Sequence, residues 1–121
     1  MAIEIIEQSF NCGEKASLFL SNIRGRVSIQ AGVDHVITLR AEKILDSGDA
    51  DKTTVELSQD NDGKVIARTC YDQNGFRFFQ RITPCKVNYE VLVPGNCDLE
   101  VRGVSNAARI DGISGDLDIS T

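Results

Sequence analysis

One short pattern occurs three times in the chain: an apolar residue, any residue, Gly or Asn, any residue, an apolar residue or Ala, any residue, and Ile. It runs as Ile23-Arg24-Gly25-Arg26-Val27-Ser28-Ile29, as Val104-Ser105-Asn106-Ala107-Ala108-Arg109-Ile110, and as Ile113-Ser114-Gly115-Asp116-Leu117-Asp118-Ile119. Gly or Asn at the third place can take a left-handed backbone, so each copy predicts a turn feeding a short strand whose alternate side chains face one core. The pattern describes stacked β-structure and carries no chemistry of its own.

Alternation of period two extends this reading to most of the chain. Ala16, Leu18 and Leu20 share a face, as do Val27, Ile29 and Ala31, and Val87, Tyr89, Val91 and Val93. Thr53 to Gln59 and Lys64 to Cys70 are β-prone runs separated by Asp60-Asn61-Asp62-Gly63, which predicts an antiparallel hairpin. Between Asp34 and Gly48 two readings compete. Ile37, Ala41, Ile44 and Leu45 fall at helical spacing, whereas the β-branched run Val36-Ile37-Thr38, with Leu39 and Ala41 on the face of Ile37, favours a strand. The strand is the better account, followed by an exposed loop over Asp46 to Asp51. Pro94-Gly95-Asn96 closes the strand Lys86 to Val93 and turns the chain into Cys97 to Val101. Beyond it, Gly103, Asn106, Gly112 and Gly115 shorten the units.

These features predict an all-β fold in which antiparallel strands lead into a Gly-punctuated β-roll or single-sheet β-helix of short stacked strands. The 121 residues, 41% of them hydrophobic, suffice for one domain spanning 1–121 with one core. A net charge of −5 would repel a phosphate backbone, which argues against nucleic acid. The longest apolar runs, such as Val91-Leu92-Val93, fall far short of the roughly 20 residues of a membrane-spanning helix. Acidic residues alternate with isoleucine in Met1-Ala2-Ile3-Glu4-Ile5-Ile6-Glu7, unlike a secretory signal, so the chain as written is expected in the cytoplasm, or at the cell envelope if it is a fragment.

Residues from Lys86 to Thr121 resemble the bacterial "putative adhesin" family, also described as toast-rack domains. The likeness rests on the strand Val87-Asn88-Tyr89-Glu90-Val91-Leu92-Val93, Pro94 closing it, Leu99-Glu100-Val101, and the Gly and Asn units ending in Gly112 to Ile119. Leu20 to Ile29 is similar to that family's opening strand and turn. The resemblance implies an all-β roll or single-sheet helix, often at the cell envelope, in a family without a settled function. Members usually continue through further Gly-strand units, so the chain is expected to be one domain, or the N-terminal part of a longer β-solenoid.

Stacking leaves the last unit uncovered. Ile110, Ile113, Leu117 and Ile119 are therefore candidates for an edge that pairs with another copy or continues into a longer protein, each covered aliphatic side chain contributing about 1.5–3 kcal/mol. A second candidate surface is Asn74 to Arg81, where Phe76, Phe78 and Phe79 lie beside Arg77 and Arg81. Aromatic and arginine residues together mark interface hot spots. The alternative is that Phe76 and Phe78 plug one end of the core while the arginines stay in water.

No residue pattern calls for a cofactor or a metal. Cys12, Cys70, Cys85 and Cys97 are scattered without zinc or redox spacing and read as small buried hydrophobes, with a Cys70–Cys85 disulfide the rival in an exported protein. Asp60-Asn61-Asp62-Gly63 lacks the further oxygen ligands and closing Glu of a calcium loop. Gly103 to Gly115 lacks the following helix that would hold a phosphate. A cysteine hydrolase would need a thiol near His35, the one histidine. The favoured reading is a non-enzymatic interaction or assembly module, with the hydrolase and a purely structural, self-associating repeat fragment as alternatives.

Overall fold

Strand faces follow directly from the alternation. In the computed structural model, which describes residues 2–48, 53–71, 85–103 and 108–120, the strands are β1 (Ile3–Asn11), β2 (Ser17–Ser21), β3 (Val27–Ala31), β4 (Val36–Ile44), β5 (Thr53–Gln59), β6 (Val65–Tyr71), β7 (Lys86–Val93), β8 (Asp98–Arg102), β9 (Ala108–Asp111) and β10 (Leu117–Ser120). The disputed segment is a strand whose inward residues Ile37, Leu39 and Ala41 are fully buried, followed by a short 3-10 turn, Leu45–Ser47. The hairpin is β5 against β6, antiparallel. Its turn is tied by the Asp60 carboxylate, which accepts the N–H groups of Asp62 and Lys64.

The strands form two five-stranded sheets, ordered β1-β4-β7-β3-β9 and β10-β8-β2-β6-β5. Their inward residues make one buried cluster that includes Leu18, Leu20, Ile29, Leu39, Tyr89, Leu99 and Val101. Two expectations are corrected here. There are two sheets where a single-sheet helix was an option, and the pairings of β2 with β6 and β8, β3 with β7 and β9, and β8 with β10 are parallel. From β7 onward each corner carries the chain from one sheet to the other, so β8 and β10 run in the same direction, as do β7 and β9.

Gly25 shows why a corner needs glycine. Its φ is +120°, and a Cβ there would sit 2.1 Å from the Val87 carbonyl oxygen. Gly115, at the same place in its repeat, differs: it is not among the residues with positive φ. It is needed for close approach, since a Cβ would lie 2.1 Å from the Cys97 carbonyl oxygen. The corners are stitched to one another by backbone bonds such as Asn22 N to Arg102 O (3.1 Å), Val87 N to Arg24 O (2.9 Å) and Ser114 N to Gly95 O (2.7 Å).

One end of the core is polar. The inward series of β2 continues past Leu20 to Asn22, that of β6 past Ala67 to Thr69, and that of β4 past Ala41 to Lys43; all three are buried. Asn22 donates from Nδ2 to the Val87 carbonyl (2.9 Å), and its Oδ1 accepts from Ile23 N (3.1 Å) and Thr69 Oγ1 (3.0 Å). The Thr69 hydroxyl also meets the Tyr89 hydroxyl at 2.6 Å. Lys43 Nζ donates to the Thr53 carbonyl. Burial without partners would cost about 1–3 kcal/mol per polar group, so this network determines how the corner closes.

Candidate interaction surface at the end of the stack

Parallel register aligns inward side chains into ladders. Across the second sheet, Val65, Leu18, Leu99 and Leu117 stand in one row, and Ala67, Leu20, Val101 and Ile119 in the next. Across the first sheet, Val91, Ile29 and Ile110 are aligned in the same way. Exposure jumps at the last rung, from 2% at Leu99 to 49% at Leu117 and from 0% at Val101 to 42% at Ile119. Ile110 and Ile113 are half-buried and pack against the core. Of the candidate edge residues, then, Leu117 and Ile119 lie open and Ile113 is partly covered.

Among the described residues, the backbone of this last rung is held from one side. β9 is outermost in its sheet beside β3, and β10 is outermost beside β8. Charges line the rim. Arg109 Nε meets Asp111 Oδ2 at 2.8 Å on β9. The Arg102 guanidinium grips Asp118 in two-pronged fashion, at 3.1 and 2.7 Å, and reaches Glu100 at 3.6 Å. That grip holds the Asp118 carboxyl below the usual range and pushes the Arg102 guanidinium up. Asp98 is also lowered, first by the N–H of Asp116 donating to it and then by Lys15, 3.4 Å away. The rim is thus an ordered set of charges around an apolar opening.

Sequence-based candidates elsewhere fare differently. Phe76, Arg77, Phe78, Phe79 and Arg81 lie outside the described residues. All four cysteines are free, with Cys85 and Cys97 buried. Cys85 Sγ donates to the Leu45 carbonyl. His35 is exposed, with φ +65°, and its Nδ1 lies 3.2 Å from the Gly13 carbonyl. Cys12 is its neighbour through the bond from Cys12 N to His35 O, 2.7 Å. Burial pushes the Cys12 and Cys70 thiols up, and that of Cys97 to about 12. A nucleophilic thiol requires the opposite shift. Among the described residues no group of three or more His, Cys, Asp or Glu could hold a metal ion, and no helix is long and apolar enough to cross a membrane.

The sequence reading missed the Arg109–Asp111 pair, because two opposite charges two residues apart are unremarkable until β9 is known to be an edge. It also missed the Asn22 network, although a signal existed: Asn22, Thr69 and Lys43 each fall at the next inward step of an apolar alternation.

Comparisons with known proteins add little to this geometry. No family model matches the chain, and no curated protein matches it. A solved structure from Clostridium sporogenes, described as a "putative cell adhesion protein", is similar at 7% identity and a TM-score of 0.46. The match covers 81% of this chain and 47% of that one, so the chain spans about half the length of that protein.

Proposed function

We propose that the chain is a non-enzymatic interaction and assembly module that works through the β9–β10 end of its stack. The supporting observation is the ladder that runs out into solvent, with Leu117 and Ile119 about half exposed directly beside the buried Leu99 and Val101. An open strand edge next to uncovered aliphatic side chains provides both halves of a β-augmentation site, main-chain hydrogen bonds and apolar contact. On this reading the architecture is a two-sheet β-roll with β2–β3 and β8–β9 as rungs, whose next rung comes from a partner. The resemblance to toast-rack sequences points the same way, toward adhesion or envelope association.

Hydrogen-exchange footprinting tests this reading. Those amides of residues 108–111 and 117–120 that point away from β3 and β8 should exchange readily in the dilute purified chain. They should become protected at high concentration or in an extract of the native host, while the β1 edge stays unchanged. Absence of protection at these residues under every condition, or protection confined to β1 or β5, would overturn the proposal.

A further inference from the structure

The exposed rim of β9 is self-complementary, and we infer that the occupant of this end is a second copy of the chain, joined β9 to β9 in antiparallel fashion about a two-fold axis at Ile110. The inference rests on the reading of the β9–β10 end as an interaction surface and names its partner.

Ile110 points inward, aligned with Ile29 and Val91, while Arg109 and Asp111 flank it on the outer face. Residues directly opposite one another in an antiparallel pair share a face, so a partner strand must keep its own Ile110 inward to continue the ladder. Three registers of β9 against its copy place an inward residue opposite Ile110 while β9 stays paired. If Ile110 faces Ile110 of the second copy, Arg109 of each chain faces Asp111 of the other, twice over. Slipping by two residues in either direction places Arg109 opposite Arg109, or Asp111 opposite Asp111. Opposite charges across a strand pair stabilise it and like charges destabilise it, so the two-fold register is selected. Both side chains face water, Arg109 76% and Asp111 52% exposed, so the 2.8 Å pair they make within β9 can be exchanged for two pairs across the seam.

Isologous pairing also extends what each chain has already built. The outer face carries a cross-strand row of Glu7, Arg40, Glu90, Ser28 and Arg109, which the Asp111 of the second copy continues. β10 lies at the same end of its own sheet, so a second copy seated there also covers Leu117 and Ile119. A head-to-tail arrangement would instead place β9 against β1 of the next copy. Continuing the charge row there, Arg109 against Glu7, sets Ile110 opposite the polar Gln8, which aligns with Leu39, and loses the aliphatic ladder.

Charge exchange at two positions, read by sedimentation velocity, decides the matter. Arg109→Asp alone places two carboxylates opposite each other twice, and Asp111→Arg alone does the same with two guanidinium groups. Each variant should dimerise at least about tenfold more weakly than the natural chain. An equimolar mixture of the two single variants should form heterodimers, and the double variant Arg109→Asp/Asp111→Arg should homodimerise again. Circular dichroism of each variant checks that the fold is kept.

A double variant that stays dissociated while the natural chain associates would overturn the two-fold register, as a head-to-tail stack would predict. Single variants that dimerise like the natural chain would also overturn it. A natural chain that is monomeric at every concentration refutes the second copy as occupant. The wider reading of this end survives that result if residues 108–111 and 117–120 gain protection in extract, and falls with it if they do not.

Discussion

Leu99 and Leu117 are the same side chain at adjacent places of one ladder, so truncating each to alanine isolates what cover is worth. They stand directly opposite in β8 and β10, yet Leu99 is 2% exposed and Leu117 49%. Leu99→Ala deletes a fully enclosed side chain and leaves a cavity, at a cost of about 2–5 kcal/mol. Full burial of a leucine contributes about 1.5–3 kcal/mol, and Leu117 keeps half its surface in water, so Leu117→Ala should cost about 1 kcal/mol. No cavity adds to it, because the site opens to solvent. Urea unfolding over a range of protein concentrations measures both. In dilute solution the gap between the variants should be at least about 1 kcal/mol. As concentration rises, the cost of Leu117→Ala should climb toward that of Leu99→Ala, because a second copy covers the remaining half. Equal costs in dilute solution would show that the ladder is already capped within the chain, and the reasoning about the open end would fail.

Two further outcomes follow from the polar end of the core and the buried acids. Asn22→Ala strips partners from the Val87 carbonyl and the Ile23 N–H, which should cost about 2–4 kcal/mol in urea unfolding. Combined with Thr69→Val it should be clearly less than additive, because the two residues share a bond. At high pH the fold should weaken in two overlapping stages. Burial raises Cys97 from 9.0 and Tyr89 from 10.0, each to about 12. The unfolded chain therefore loses these protons first, and stability present below pH 9 falls as pH rises toward 12, by about 1.4 kcal/mol per unit per group. Alkaline denaturation curves should flatten above pH 10 in Tyr89→Phe, and an unchanged slope would refute the assignment.

The candidate surface was only half legible in the chain. The repeat ending in Leu117-Asp118-Ile119 already marked these as inward residues of a final rung, since alternation alone assigns faces. That β9 is an edge, and that Arg109 and Asp111 therefore lie on a free rim, required the sheet order. β1 was missed because its apolar residues do not keep to one face: Ile3 and Ile5 are exposed, whereas Ile6 and Phe10 turn toward the core.

Local chemistry by itself determined most of the strands, the hairpin at Asp60 to Gly63 and the corner at Gly25, because propensity, side-chain alternation and backbone freedom act over a few residues. Only the tertiary structure decided that β7 lies between β3 and β4, that Val27 stands beside Tyr89 in parallel, and that two sheets share one core. Pairing is a contest among many strands whose inward faces are almost equally apolar, and it is settled by which corners stack and which buried polar groups find partners. Asn22, bonded to the carbonyl of Val87 far along the chain, is where that choice becomes visible.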